Sequence, residues 1–125
     1  MFNVFKDIPL KLRISTAIYN VLLKKDVRLH TKECYGVTDT HLKTISLTTK
    51  YPDYPMVEIF LHEILHALFK EYMLLGSITG EEEEESVVTA LAKGLINLFI
   101  DNPMVLEYIK NRLDEQKAEL KKCVV

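Results

Sequence analysis

The sequence predicts an α+β domain, a small and mostly antiparallel sheet packed on a helix bundle, and three observations carry that prediction. Short stretches of the first half alternate apolar and polar residues between turn residues, as half-buried strands do. The second half holds long segments with apolar residues at helical spacing. Between the halves stands Tyr51-Pro52-Asp53-Tyr54-Pro55, where two prolines bar regular structure. A chain of 125 residues is long enough to bury a core without staples. With no internal repeat or dividing linker, one domain is expected over 1–125, with an N-terminal segment 1–24 and a C-terminal helix 104–125.

Along the chain, Ile14 to Leu23 fits either period: Ile14, Ile18, Val21 and Leu22 suit a helix, while its Val, Ile, Thr and Tyr residues suit a strand. Val27 to His30 alternates and predicts a strand. Tyr35-Gly36-Val37-Thr38-Asp39 predicts a strand end and turn, with Gly36 free to take a left-handed backbone. Leu42, Thr44, Ile45 and Leu47 give a further strand within His41 to Thr48. Asp53 or Tyr54 then starts a helix with Pro55 in its first turn, running from Met56 to about Leu74. Gly76 to Gly80 is a loop. A second helix runs from Glu81 to about Ile100 and stops before Pro103, which disfavours helix at the preceding residue. The last covers about Met104 to Lys121, with Leu106, Ile109, Leu113 and Leu120 as its apolar stripe.

Composition is that of a soluble globule, 48% hydrophobic and 27% charged, and a net charge of −2 gives no electrostatic footprint for nucleic acid. No apolar run reaches membrane-spanning length. Charge interrupts Met1 to Asp7 too early for a signal peptide. Cys34 and Cys123 lie far apart and outside any C-x-x-C, so free thiols and a cytoplasmic location are expected.

The chemistry sits in the Met56 helix. His62-Glu63-Ile64-Leu65-His66 spells H-E-x-x-H, which on a helix puts both imidazoles on one face, one turn apart, where they can bind one zinc ion. Glu63 can then take a proton from a water at the metal. Val57, Ile59, Phe60, Leu61, Ile64, Leu65, Ala67, Leu68 and Phe69 make the helix apolar nearly all round, so it should be buried. Polar groups in such a helix need partners, and a metal supplies one to all three. His30 and His41 lie outside any ligand spacing and are expected in loops.

A catalytic zinc keeps three protein ligands and one open position. The extended motif H-E-x-x-H-x-x-G-x-x-H fails, because Phe69 stands in place of the Gly and Tyr72 in place of the last His. A carboxylate from the next helix is the other common solution, and Glu81 to Glu85 open that helix. Its buried stripe is expected through Val88, Leu91, Ala92, Leu95 and Leu98. Glu84 and Glu85, one turn before Val88, share that face, whereas Glu82 and Glu83 point toward water. Glu85 is favoured as the third ligand, with Glu84 as the alternative. Acidic residues also suit any helix N-terminus, where the macrodipole is positive, and most of the five do only that.

With Tyr35-Gly36-Val37-Thr38-Asp39, then Leu61 to Leu68 around the motif, then Glu85 to Leu95 and Asp101-Asn102-Pro103, the chain resembles the small bacterial and phage zinc-peptidase-like domains of the ImmA/IrrE group. The resemblance covers about residues 25 to 110. It implies a zincin-like fold, His62 and His66 as metal ligands, Glu63 as catalytic base and one Glu of the second helix as third ligand. The expected activity is zinc-dependent hydrolysis of a peptide or protein substrate. An extended peptide would add to an exposed edge, the Lys43-to-Leu47 strand, and Tyr35, Tyr51, Tyr54 or Tyr72 would stabilise the oxyanion. The rival readings are a non-catalytic zinc-binding scaffold and a metal-free helical interaction protein.

Overall fold

Where the pattern of Ile14 to Leu23 suits both periods, the chain forms two strands. The structure, a computed structural model, describes residues 4–51, 56–72 and 80–123, with side chains as far as 118. Strand β1 spans Lys11–Ile14 and β2 spans Ala17–Lys24, antiparallel, with Ile14 opposite Ala17. Ser15 and Thr16 make the turn, and Ser15 takes a φ of 58°, the left-handed backbone that tight hairpins require. Tyr19 and Val21 are buried while Ile18 and Asn20 face out, a period of two. Aromatic and β-branched residues fit that pleated, half-buried surface.

The Val27–His30 stretch yields only β3, Arg28–Leu29, paired with β4, Lys32–Glu33, in a separate two-stranded ribbon. His30 lies in its turn with a φ of 59°. Strands β5, Gly36–Asp39, and β6, Thr44–Thr48, form the next hairpin. The Asp39 carboxylate accepts the backbone N–H of His41 at 2.9 Å and of Leu42 at 2.8 Å, which bends the chain out of β5.

The main sheet has the order β1-β2-β6-β5. Its outer ladders are antiparallel, but the central β2–β6 ladder is parallel, from Asn20 opposite Thr44 to Lys24 opposite Thr48, so the sheet is mixed. A parallel return needs a long crossover, here residues 25–43. This topology corrects the expected peptide-binding edge. Lys43 to Leu47 lies between β2 and β5, and Ile45 and Leu47 are wholly buried. The borders of the sheet are β1 and β5.

Helix α1 spans Met56–Glu71, α2 spans Glu81–Asp101 and α3 spans Pro103–Cys123. The predicted helix start at residues 53–55, the extension to 74 and the loop at 76–79 fall outside the described residues. α1 lies on β1, β5 and β6, where Met56 and Ala67 join Ile14, Tyr19, Val21, Ile45 and Leu47 in the core. Val57 stays exposed, so a helix apolar nearly all round by sequence is covered on the sheet side rather than on every side. Two polar ties fix it there. Thr38 holds Glu63, and Lys43 forms an ion pair with Glu71, whose carboxylate also accepts the hydroxyl of wholly buried Tyr19 at 3.3 Å.

The chain divides into two compact units, Met1–Ala92 and Lys93–Val125. The first holds both sheets, α1 and the start of α2, where Val88 and Ala92 are buried as expected. Leu91 and Leu98 of the same predicted stripe are exposed. The second unit is helical: the rest of α2, then α3 with Pro103 at its first position, where a missing N–H costs nothing. Leu106, Ile109 and Leu113 are exposed too. Helical spacing reports an apolar stripe and says nothing of whether a surface lies against it. Among the described residues, no helix is long and apolar enough to cross a membrane.

Candidate metal centre

The i, i+4 spacing on α1 sets the two imidazoles face to edge, ring centroids 4.9 Å apart. Their Nε2 atoms are 3.2 Å from one another. α2 opens with five glutamates, and the last reaches both rings: Glu85 Oε1 is 3.0 Å from His62 Nε2, and Glu85 Oε2 is 2.9 Å from His66 Nε2. Among the described residues these three form the one group of metal-ligating side chains with converging ligand atoms.

Tetrahedral zinc with N and O ligands at 2.0–2.2 Å places neighbouring donor atoms roughly 3.3 Å apart. The two imidazole nitrogens, 3.2 Å apart, match this; Glu85 meets them through different oxygens, Oε1 at 3.0 Å from His62 and Oε2 at 2.9 Å from His66, and one ligand atom from each residue lies within 4.8 Å of the others. The donor set, two imidazole nitrogens and one carboxylate, is that of a His2Glu zinc site. The residues fit the ion.

Glu84 and Glu85 both belong to this cluster, on different atoms. Glu84 Oε2 lies 3.0 Å from Nδ1 of His66, the ring nitrogen turned away from the convergence point. An Nδ1–H donated to Glu84 leaves the Nε2 lone pair free, the arrangement that fixes a histidine for metal binding. The structure brings both glutamates of the predicted pair, Glu84 and Glu85, to the imidazoles. The imidazoles are half-buried and Glu84 likewise, while Glu85 is 56% exposed, so the cluster opens to solvent on the Glu85 side.

Glu63, next to His62 in the chain, is 6% exposed and lies against β5. The Thr38 hydroxyl lies 2.7 Å from its Oε1 and 2.9 Å from its backbone carbonyl oxygen. Burial pushes the Glu63 carboxyl above its ordinary pKa; the Thr38 hydrogen bond and the two imidazoles pull it back, and Glu85 adds a smaller upward push. The β5 strand approaches closely here. A Cβ at Gly36 would meet Glu63 Cγ at 3.0 Å, Glu63 Oε2 at 3.1 Å and Ile59 Cγ2 at 3.2 Å. Gly36 does not use the left-handed backbone open to it; its missing Cβ gives room to Glu63 and Ile59.

Thr38 is the residue that the sequence reading missed. Its only signal was position, two residues after Gly36 and so on the same face of a strand. Of the tyrosines considered for an oxyanion, Tyr35 and Tyr51 stack edge to face at 5.4 Å, and the Tyr51 hydroxyl reaches Glu33 at 3.5 Å. Tyr72 is exposed beyond the end of α1, and Tyr54 falls outside the described residues. His41 lies in the β5–β6 turn, as expected of a loop residue, and the Asp39 carboxylate is engaged in shaping that turn.

Compared with protein-family models, curated proteins and solved structures, the chain matches none.

Proposed function

We propose that the chain is a zinc-dependent peptidase of the zincin type, with His62, His66 and Glu85 holding the ion, Glu84 orienting His66 and Glu63 serving as general base. One observation carries this reading. Two imidazole nitrogens and a carboxylate from separate helices converge at zinc-ligand spacing, beside a glutamate whose place in the motif is that of a base. Zinc, when bound, supplies a Lewis acid that polarises a carbonyl and acidifies a water. Glu63 takes the proton of the attacking water and returns it to the leaving nitrogen. Thr38 holds the carboxylate while it does so. The peptide would run along β5, a border strand against which α1 lies, rather than along the interior β6. This is the chemistry of the ImmA/IrrE-like resemblance, working in the cytoplasm on a peptide or protein substrate.

A second reading draws on the depth of Glu63. A carboxylate 6% exposed and tied to Thr38 also suits a scaffold that binds zinc without hydrolysis. Two measurements separate the readings. The purified chain should carry about one zinc, lost in His62→Ala and in His66→Ala. Glu63→Gln should keep the metal and lose hydrolysis of a quenched-fluorescent peptide mixture, because an amide cannot accept the proton. Zinc binding with no hydrolysis by the unaltered chain favours the scaffold, and a folded chain that takes no zinc overturns both.

A further inference from the structure

Gly36 and Thr38 stand two residues apart on β5 and share the face turned to α1, while Val37 and Asp39 belong to the other face. We propose that this pair is a seat that commits Oε2 of Glu63, and not Oε1, to receiving the proton; the proposal rests on Glu63 being the general base. A carboxylate offers two chemically equal oxygens, and its terminal torsion is soft and roughly two-fold. Thr38 breaks that equivalence. Its hydroxyl lies 2.7 Å from Oε1 and 2.9 Å from the Glu63 carbonyl oxygen; donated to the nearer Oε1, its one proton occupies one lone pair of that oxygen and makes it the weaker acceptor of the two. Oε2 makes no such bond to Thr38 and lies over the bare backbone of Gly36, 3.1 Å from where a Cβ would stand.

The glycine is as necessary to the seat as the hydroxyl. A methyl group at position 36 would press on Cγ and Oε2 of Glu63 and on Cγ2 of Ile59 together, at 3.0, 3.1 and 3.2 Å. Glu63 has little freedom to yield. Its backbone is mid-helix in α1, and its far oxygen is held by Thr38. The side chain would have to turn about its terminal torsions, moving Oε2 from its place over the Gly36 backbone. Misplacement by about 1 Å at a reacting group can cost roughly a hundredfold in rate. Thr38 and Gly36 are thus positioning residues, acting only through Glu63.

The test uses the full zinc-loaded chain with Thr38→Val, Thr38→Ser and Gly36→Ala. Three readouts are taken: zinc affinity by chelator competition, kcat and KM on a quenched-fluorescent peptide mixture, and the carboxyl 13C resonance of Glu63, assigned by its loss in Glu63→Gln. Thr38→Val should leave zinc affinity unchanged and lower kcat about tenfold at constant KM, the worth of one hydrogen bond to a charged group. It should also move the Glu63 resonance. Thr38→Ser should restore both, and Gly36→Ala should lower kcat at least as far as Thr38→Val. An unchanged kcat with an unmoved resonance in Thr38→Val overturns the seat, and so does a Thr38→Ser that behaves like Thr38→Val. If Thr38→Val fails to fold, Thr38→Ala is judged by the same rule. A chain that binds zinc but hydrolyses nothing overturns the peptidase reading, and the seat falls with it. A chain that hydrolyses while Thr38→Val leaves the resonance in place loses the seat alone.

Discussion

Replacing Glu85 by alanine tests the metal centre where its geometry is most specific. The carboxylate touches both imidazoles, at 3.0 Å and 2.9 Å, so its loss removes one proposed ligand and the anionic bridge between two nitrogens only 3.2 Å apart. Structural zinc sites with four ligands bind with apparent free energies of about 10–16 kcal/mol, or about 2.5–4 kcal/mol per ligand if shared equally. Glu85→Ala should therefore weaken zinc binding by about 10²–10³-fold. Glu84→Ala leaves the three proposed ligands in place and removes only the acceptor 3.0 Å from His66 Nδ1, a change of the kind that costs roughly 10–100-fold. Glu82 is exposed and serves as the control, with a loss limited to its dipole contribution, roughly 0.3–1 kcal/mol at low salt. Competition against a chromophoric chelator, with thermal melts of the zinc-free variants, gives the order. A larger loss from Glu84→Ala than from Glu85→Ala would exchange the roles of ligand and orienter. Equal behaviour of all three variants would refute the centre altogether.

Ile45→Ala removes a wholly buried core side chain from the central strand and should cost about 2–5 kcal/mol, read from urea unfolding. The Lys43 ammonium, bonded to Glu71, holds that carboxyl below its ordinary value of 4.5. The native state thus binds fewer protons than the unfolded chain there, so this stability is present above pH 4.5 and lost as pH falls through the lower native value. Lys43→Met should flatten the acid limb of an unfolding series, and an unaltered limb would count against the tie. At the alkaline end, burial first and the neighbouring Glu71 second push the Tyr19 hydroxyl up from 10.0 to about 12. The native state then keeps a proton that the unfolded chain releases, so stability should fall as pH rises between these values and Tyr19→Phe should remove that part of the fall, measured by melting temperature.

Much of the centre was legible because helical geometry is local. His62 and His66 had to share a face, and a count of one turn back from Val88 brought Glu84 and Glu85 to the same side. Division of labour between the two was not legible, since it depends on which ring nitrogen each reaches. The α+β class followed from the change of period near Tyr51, but the mixed sheet did not. Alternation in β2 and β6 tells which residues are buried and leaves open whether strands 20 residues apart run the same way. The Thr38–Glu63 bond joins residues 25 positions apart through a close approach of strand and helix, and no local pattern announces it.

The parallel ladder between β2 and β6 has a kinetic consequence. The β1–β2 and β5–β6 hairpins can each form from neighbouring residues, but they become one sheet only when Asn20 meets Thr44 across the intervening ribbon and turn. Closing a longer loop costs more chain entropy and slows the approach of its ends. The surface on which α1 rests spans both hairpins, through β1 on one side and β5 and β6 on the other. Until they join, α1 has only the β5–β6 hairpin to pack on, and the Thr38 tie to Glu63 lacks the support of β1. A chain caught before that joining would already hold His62 and His66 on a common helical face, with only part of the sheet beneath the helix.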